Sequence, residues 1–221
     1  MINNPLNYLL IRPNVINSDG LNELTNFINS KNGRDLSVFD IEQTNSSKKV
    51  QYKVDKGVRD TQIIDYDHNQ LNNIKFLMEN LVKKIINPFY SIEVTESEVP
   101  QILSYDVGGH YKPHNDAEAM WKTPCGKNIW KKCADRDLSI ILFLNDNFEG
   151  GELVFPELKI RIKPEPGMLV CFPSNHHYIH SVESVTKGKR YSIVTWAKIK
   201  GFISKKDQDR ELSEKYNTKV I

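Results

Sequence analysis

The second half of the chain is a succession of short β-prone segments punctuated by glycine and proline. In chain order these segments are Ser91–Thr95, Pro100–Tyr105, Tyr111–His114, Leu138–Leu144, Glu152–Phe155, Ile160–Lys163, Met168–Phe172, Tyr178–Val182 and Arg190–Ile199. Strands as short and as closely spaced as these are typical of a sandwich or a barrel. With 26% charged and 39% hydrophobic residues, the composition is that of a globular protein rather than a disordered or membrane-embedded one.

Two helical patterns precede this β core. Ser18-Asp19 provides an N-cap for a helix that runs to about Ile28. Apolar residues recur at helical spacing over Asn69–Ile86, and Asn87-Pro88 is expected to end that helix. Because helices come first and strands afterwards, we expect an α+β fold that is mainly β, with the N-terminal helices packed on one face of the core.

The length of 221 residues suffices for one well-filled core, and no linker-like segment divides the chain. We therefore expect a single domain over residues 1–221, with a supporting region at 1–99, a β core at 100–200 and a tail at 201–221. The charged segment Ser204–Tyr216 in the tail predicts a short surface helix. The sequence does not indicate an oligomeric state.

Cysteine usage and the first residues bear on the compartment. Cys125, Cys133 and Cys171 are too few, and odd in number, for the disulfide framework of a secreted scaffold, so a reducing compartment is favoured. The first apolar run is only four residues long, too short for a signal peptide core or a membrane span. We expect a cytoplasmic protein without membrane association. A net charge of +2 gives no general electrostatic case for nucleic acid binding.

The segment QILSYDVGGHYKPHND, from Gln101 to Asp116, contains a histidine and an aspartate two residues apart. Residues two apart in a strand project to the same face, so His114 and Asp116 can reach one point. One imidazole, one carboxylate and a second imidazole from a distant strand form the facial triad of non-haem iron oxygenases, which leaves positions open for other ligands. Because a His-x-Asp pair alone often occurs by chance, a second histidine has to come from the later strands.

Three late histidines are candidates for that third position. His180 lies in an alternating β-prone run, whereas His176 and His177 lie in a loop and are expected to be solvent-exposed. Arg190 follows His180 closely, and Gly188 between them can provide the positive φ angle that a tight turn requires. A hairpin there would place Arg190 near His180, where its guanidinium could bind the distal carboxylate of a dicarboxylate in a bidentate fork.

In these residues the chain resembles the 2-oxoglutarate and iron dependent oxygenases of the prolyl 4-hydroxylase type. The resemblance runs from Gln101 to Trp196, about half of the chain, and rests on four segments in the family's order: SYDVGGHYKPHND, LSIILFLNDNFEGGELVFPE, PEPGMLVCFPS and HSVESVTKGKRYSI. Four ordered matches are far more specific than one residue pair. The resemblance implies a core built as a double-stranded β-helix, or jelly roll.

The resemblance also implies a metal site and a reaction. It implies Fe(II) held by His114, Asp116 and His180, with no catalytic residue beyond the metal site. The implied reaction is hydroxylation of a substrate C–H bond by O₂, with release of succinate and CO₂ and with ascorbate as a candidate reductant. The implied substrate is a prolyl residue in a peptide or protein.

For the cosubstrate 2-oxoglutarate, the resemblance implies that Arg190 and Tyr105 bind the distal carboxylate. Ser192, two residues beyond Arg190, resembles the small hydroxyl residue that often assists this arginine, and could equally be a plain strand serine. The collagen-modifying branch usually has lysine in place of Arg190, whereas oxygen-sensing and many bacterial relatives have arginine. A collagen-like substrate is therefore less favoured.

Two alternative functions remain open. One is the same chemistry on nucleic acid or on a free amino acid, although the chain lacks the additional arginine that base-repair relatives carry further along within the segment RYSIVTW. The other is a non-catalytic jelly-roll module that senses 2-oxoglutarate. The intact set His114, Asp116, His180 and Arg190 argues against the second alternative, because such a module has no need of an open iron site.

The connection AEAMWKTPCGKNIWKKCADRD, residues 117–137, is long for a compact domain. Long irregular connections are often lids or binding loops. Trp121 and Trp130, with the lysines around them, could stack on a nucleic acid strand, clamp a peptide, or simply anchor the loop on the core. Tyr111 could line the pocket or only pack. These three aromatic residues are the candidate substrate or lid residues.

Overall fold

The computed structural model describes residues 5–31, 33–36, 38–43 and 48–218. The helices in these ranges are α1 (Ser18–Asn29), α2 (His68–Leu81), α3 (Asn87–Tyr90) and α4 (Lys205–Tyr216), with a π-helical turn at Val82–Ile86 and 3₁₀ turns at Pro5–Tyr8 and His176–Tyr178. None of these helices combines the length and the apolar character that a membrane crossing requires.

The strands of the described residues are, in chain order, β1 (Leu10–Arg12), β2 (Gly33–Asp35), β3 (Val38–Gln43), β4 (Lys48–Lys53), β5 (Arg59–Asp60), β6 (Gln62–Ile64), β7 (Val94–Ser97), β8 (Gln101–Tyr105), β9 (His110–His114), β10 (Glu118–Lys122), β11 (Asn128–Lys132), β12 (Leu138–Phe143), β13 (Phe148–Gly150), β14 (Leu153–Phe155), β15 (Ile160–Ile162), β16 (Leu169–Pro173), β17 (His180–Val182), β18 (Val185–Gly188) and β19 (Arg190–Ile199).

Two antiparallel sheets face each other. The larger sheet has the order β1-β16-β12-β19-β8-β6-β2, and β7 also pairs with β19. The smaller sheet has the order β15-β14-β17-β9-β5, and the pairs β3-β4, β10-β11 and β13-β18 form separate ribbons. This is the mainly β architecture with a jelly-roll core that the sequence predicts, and each of the nine β-prone segments overlaps an observed strand.

Strand β12 shows why the larger sheet is buried on both faces. Its residues Ile140 and Leu142 belong to the cluster formed with the helices, whereas Ile141 and Phe143 belong to the cluster between the two sheets. All six residues of β12 are buried, because neighbouring side chains alternate between two covered faces. Each large apolar side chain buried in this way contributes about 1.5–3 kcal/mol to folding.

The N-terminal helices cover the outer face of the larger sheet, as predicted. Helix α1 buries Ile28, and α2 buries Ile74 and Met78, in the same cluster as Ile140 of β12. The N-cap of α1 is Asn17 rather than Ser18-Asp19, because the Asn17 side chain accepts a hydrogen bond from the backbone N–H of Gly20 at 3.0 Å.

The second helical stretch does not end at Asn87-Pro88, contrary to the prediction. The chain continues through the π-helical turn into α3, where the N–H of Asn87 donates to the carbonyl of Val82, five residues back. Pro88 is tolerated because it occupies the first turn of α3, where a backbone N–H is not needed. Ser91, in the left-handed region with φ 53°, ends the helix instead.

Residues 117–137, expected to be an irregular connection, contain a β-hairpin. Strands β10 and β11 pair over five residues each, and Gly126 in the turn has a φ of 83°. Helix α4, at the position predicted for a surface helix, packs on this hairpin: Lys131 Nζ lies 2.7 Å from Asp209 Oδ1, and Gln208 Oε1 accepts from the N–H of Lys132. The sequence did not predict the hairpin, because polar and apolar residues alternate only weakly in its two lysine-rich strands.

Candidate active site

The two histidines and the aspartate of the predicted triad lie together at the end of strand β9. His114 is the last residue of β9 and His180 the first of β17. Asp116 lies just beyond the strand rather than on it, yet its Oδ1 is 3.6 Å from His114 Nε2 and its Oδ2 is 3.5 Å from His180 Nε2. One ligand atom from each residue lies within 4.8 Å of the other two, which is close enough to share one metal ion.

Backbone carbonyls fix the orientation of both imidazoles. His114 Nδ1 lies 2.8 Å from the carbonyl oxygen of Lys112, and His180 Nδ1 lies 3.0 Å from that of Tyr178. Because a carbonyl only accepts, Nδ1 donates in each ring, and Nε2 is the ring atom that faces Asp116 and would bind a metal ion. Burial, together with nearby His180, lowers the pKa of His114 to about 3, so that ring is neutral, as metal ligation requires.

Asp116 is held as a carboxylate by its neighbours. Burial alone would raise its pKa, but His180, His114 and the hydroxyl of Ser139 outweigh burial and bring the pKa to about 2. Ser139 Oγ donates to Asp116 Oδ2 at 2.6 Å and lies 2.8 Å from Ser174 Oγ. Two imidazoles with free Nε2 atoms and one ionised carboxylate fit Fe(II).

Arg190 is a buried cation without an acidic partner in the described part of the chain. Its side chain is 1% exposed, its Nε has no hydrogen bond, and its Nη1 lies 3.3 Å from Ser192 Oγ. The guanidinium carbon is 4.8 Å from the ring centroid of Tyr105 and 5.0 Å from that of Phe143. Burial lowers the pKa of Arg190. A desolvated guanidinium with unused donors fits an anion such as the distal carboxylate of 2-oxoglutarate.

Arg190 and His180 are not joined by the hairpin that the sequence predicted. Strand β17 belongs to the smaller sheet and β19 to the larger one, while β18 between them pairs with β13. Gly188 does adopt a φ of 75°. The two side chains nevertheless line the same cavity of about 300 Å³. They meet there because the sheets face each other.

The aromatic candidates divide into one cavity residue and two packing residues. Tyr111 lines the cavity, with its ring stacked on His114 at 3.6 Å between centroids. The residues that line the cavity do not include Trp121, whose ring lies 5.7 Å from that of Tyr216, or Trp130, which stacks on His176 at 4.8 Å.

His176 is not a solvent-exposed loop residue, contrary to the prediction. It is half-buried in a 3₁₀ turn, and its Nδ1 donates to Glu118 Oε2 at 2.6 Å. The ring packs on Trp130 because the unforeseen hairpin lies beside it. His177 is exposed, as predicted.

The cavity also contains residues that the sequence analysis did not indicate, among them Arg59, Arg136 and Trp196. Arg136 lies with its guanidinium carbon 3.7 Å from the ring centroid of Trp196, donates to the carbonyl of Asp116 at 3.2 Å and forms an ion pair with Glu98. The available signal for Arg136 was a charged residue two positions before the apolar strand β12. Arg59 lies in a region where the sequence pattern was mixed, and nothing local marked it.

A jelly roll whose cavity contains two histidines, an aspartate and a buried unpaired arginine defines the class of 2-oxoglutarate and iron(II) dependent oxygenases. Residues 100–198 match the 2OG-Fe(II) oxygenase superfamily, and the chain therefore contains a domain of this family.

Two curated relatives and one solved structure illustrate the similarity. The chain is 37% identical to human prolyl 3-hydroxylase 2 over 86 residues, which are 37% of this chain and 11% of that protein. It is 27% identical over 209 residues to a putative prolyl 4-hydroxylase of Acanthamoeba polyphaga mimivirus, covering 91% of this chain and 78% of the relative. A prolyl hydroxylase from Trichoplax adhaerens, solved with a hypoxia inducible factor peptide fragment, has the same fold, with a TM-score of 0.59, 19% identity and coverage of 91% and 86% of the two chains. The chain thus spans about a tenth of the first relative's length and most of the second's.

Proposed function

We propose that the protein is an Fe(II) and 2-oxoglutarate dependent dioxygenase that hydroxylates a substrate C–H bond and releases succinate and CO₂. The observation that carries this proposal is the presence of His114, Asp116, His180 and the unpaired Arg190 in one cavity. Neither the triad nor the buried arginine is specific alone, because clusters of histidine and carboxylate side chains and buried arginines also occur for structural reasons. Together they provide a metal site and a receptor for a dicarboxylate.

Several residues of the cavity have defined tasks in this proposal. The two Nε2 atoms and the Asp116 carboxylate hold iron, which when bound supplies the activation of O₂ and of the keto acid. Arg190 binds the distal carboxylate of 2-oxoglutarate, with Tyr105 against its guanidinium and Ser192 beside it. The apolar wall formed by Leu103, Ile141, Leu153 and Val194 excludes water from the reacting groups.

A prolyl residue in a peptide or protein is the proposed substrate. The similar proteins bear the names of prolyl hydroxylases, and one of the solved structures contains a peptide fragment. The hairpin also offers little to nucleic acid. Trp121 packs edge to face against Tyr216 and Trp130 stacks on His176, while Lys131 and Lys132 form ion pairs with Asp209 and Asp137.

We further propose that the protein works in a reducing compartment, the cytoplasm, with ascorbate as a reductant of the iron. Cys125, Cys133 and Cys171 are all free thiols, which is compatible with such a compartment. Succinate formation in the presence and absence of ascorbate tests the second part of this proposal.

The central experiment compares two histidines that lie close together in the sequence. The protein is loaded with Fe(II) and 2-oxoglutarate without oxygen and then exposed to air, and succinate and CO₂ are quantified. Wild type and His177→Ala should form equal amounts of the two products, because His177 is exposed and outside the triad. His180→Ala should lose bound iron and succinate formation together. Undiminished succinate from His180→Ala would contradict the assignment.

A second measurement addresses the substrate. Proline-containing peptides are incubated with the loaded enzyme and analysed by mass spectrometry for one added oxygen atom on the prolyl residue. Succinate formation without any modified proline would leave the oxygenase assignment standing and overturn the prolyl substrate.

A further inference from the structure

Three arginines line the active-site cavity, and one of them has no assigned partner. Arg136 is paired with Glu98, and Arg190 is the proposed receptor for the cosubstrate. Arg59, on strand β5 at the edge of the smaller sheet, is not paired with an acidic residue in the described part of the chain, and its buried Nε atom lacks a hydrogen bond. The adjacent Asp60 is paired with Lys56 at 3.3 Å.

Two contacts of the Tyr111 ring, one with Arg59 and one with His114, define the position of Arg59 relative to the triad. Its guanidinium carbon lies 4.5 Å from the ring centroid of Tyr111, its register partner on β9. That ring in turn stacks on His114 at 3.6 Å. Arg59 therefore packs on the same ring as His114, and its side chain lines the cavity that contains the triad.

A half-buried guanidinium with a desolvated, unused donor is unfavourable unless an occupant of the cavity completes its hydrogen bonds. Cation–π contact with Tyr111 offsets part of this cost but uses none of the N–H donors. The donors of Arg59 are best satisfied by a carboxylate, which a guanidinium binds through two parallel hydrogen bonds. The cosubstrate does not supply that carboxylate, because Arg190 takes its distal group.

We propose that Arg59 binds an acidic side chain of the substrate, next to the residue that is hydroxylated, so that the preferred substrate is an acidic peptide segment. This inference rests on the proposed function. An acidic peptide fits better than a phosphate backbone because Trp121 packs edge to face against Tyr216 and Trp130 stacks on His176, so that both tryptophans of the hairpin are already used within the protein.

Binding is measured without turnover, in the absence of oxygen and with Fe(II) and 2-oxoglutarate present. The probes are two labelled peptides with a central proline, one carrying Asp at the two positions on each side and the other Asn at the same positions, and a single-stranded oligonucleotide with the same label. The variants are Arg59→Gln, Arg59→Lys and the control Arg161→Gln. Arg161 is also an arginine of the smaller sheet, but lies on β15 at the opposite edge and is exposed.

Wild type and Arg161→Gln should bind the Asp peptide more than about tenfold more tightly than the Asn peptide. Arg59→Gln should reduce this ratio to about one while leaving the affinity for the Asn peptide unchanged, and Arg59→Lys should restore part of it. Equal binding of both peptides by wild type, absence of binding by either, or an undiminished preference in Arg59→Gln would overturn the inference. Oligonucleotide binding that depends on Arg59, without such peptide preference, would overturn it in favour of nucleic acid.

Succinate formation, measured in parallel, separates this inference from the proposed function. An Asp preference that depends on Arg59 without any succinate would refute the oxygenase activity and leave the acidic binding site standing. Succinate formation with equal binding of the two peptides would refute the acidic binding site and leave the oxygenase activity standing.

Discussion

The rings of Tyr111 and His114 stack at 3.6 Å although the two residues are three positions apart on one strand. In a regular strand such residues point to opposite faces. The register between β9 and β17 shifts at this point, since His180 pairs with His114 but Val182 pairs with Tyr111. A bulge of this kind inserts one residue and reorients the next side chain, and it also tolerates Pro113 within the strand.

The bulge has a direct consequence for the active site. It brings the ring of Tyr111 against both His114, a proposed metal ligand, and the guanidinium of Arg59. Burial raises the pKa of the Tyr111 hydroxyl, against the opposing influence of Arg59. Tyr111 therefore stays protonated and serves as a neutral spacer.

Ser139 should be a positioning residue for the metal. Replacing it by alanine removes the 2.6 Å hydrogen bond to Asp116 Oδ2, and we expect Fe(II) to bind about 10–100-fold more weakly. Anaerobic metal titration measures this change. Ser184→Ala is the control, because Ser184 is exposed in the loop after β17. The same loss in both variants would show that Ser139 has no specific role.

Arg190→Met should separate cosubstrate binding from folding. The dissociation constant of 2-oxoglutarate should rise by about 10–150-fold, because charge-assisted hydrogen bonds of roughly 1.5–3 kcal/mol are lost. Unfolding of the free protein should not become easier, because the variant no longer buries a cation without an acidic partner. Calorimetric titration and thermal unfolding test the two statements, and Arg190→Lys should bind with intermediate affinity. Unchanged affinity in Arg190→Met would exclude the assigned role.

The cysteines should differ in reactivity. The hydroxyl of Thr123 lowers the pKa of exposed Cys125, whereas burial raises the pKa of Cys171 to about 12. Alkylation near pH 8 followed by mass spectrometry should therefore modify Cys125 first and leave Cys171 intact until the protein unfolds. Early modification of Cys171 in the folded protein would contradict its burial.

The same raised pKa predicts an effect of alkaline pH on stability. The thiol of Cys171 ionises near pH 9 in the unfolded chain and near pH 12 in the folded protein, so the folded state binds more protons between these values. The contribution of this group to stability is complete below pH 9 and is lost as the pH rises towards 12. Cys171→Ala should flatten this part of the curve of unfolding free energy against pH.

Gly150 should be far less replaceable than Gly201, although both have positive φ angles, of 74° and 82°. A Cβ at Gly150 would lie 2.2 Å from the carbonyl oxygen of Ser184, whereas a Cβ at Gly201 would meet nothing within 4 Å. We expect Gly201→Ala to cost about 1–2 kcal/mol from backbone strain alone, and Gly150→Ala to cost more than about 3 kcal/mol. Denaturant unfolding measures the difference, and similar values would refute the close approach.

Much of the candidate site was predictable because its residues lie in short segments with recognisable sequence patterns. The pair His114 and Asp116, the alternating run around His180, and Arg190 at the start of an apolar strand are local patterns. Burial of strands such as β12 follows equally from a run of apolar residues. The helix end at Pro88 was misjudged because a π-helical turn, which depends on packing rather than on local preference, precedes it.

The sequence by itself determined which side chains form the candidate triad and which arginine accompanies it, and that the chain forms short strands with helices on one face. Only the tertiary structure decided that Arg190 reaches the cavity from the sheet opposite His180, that Tyr111 turns onto His114, and that Arg59 joins them from an edge strand. The physical reason is that chemical identity and periodicity are local properties, whereas strand pairing, bulges and the facing of two sheets depend on contacts between residues far apart in the chain.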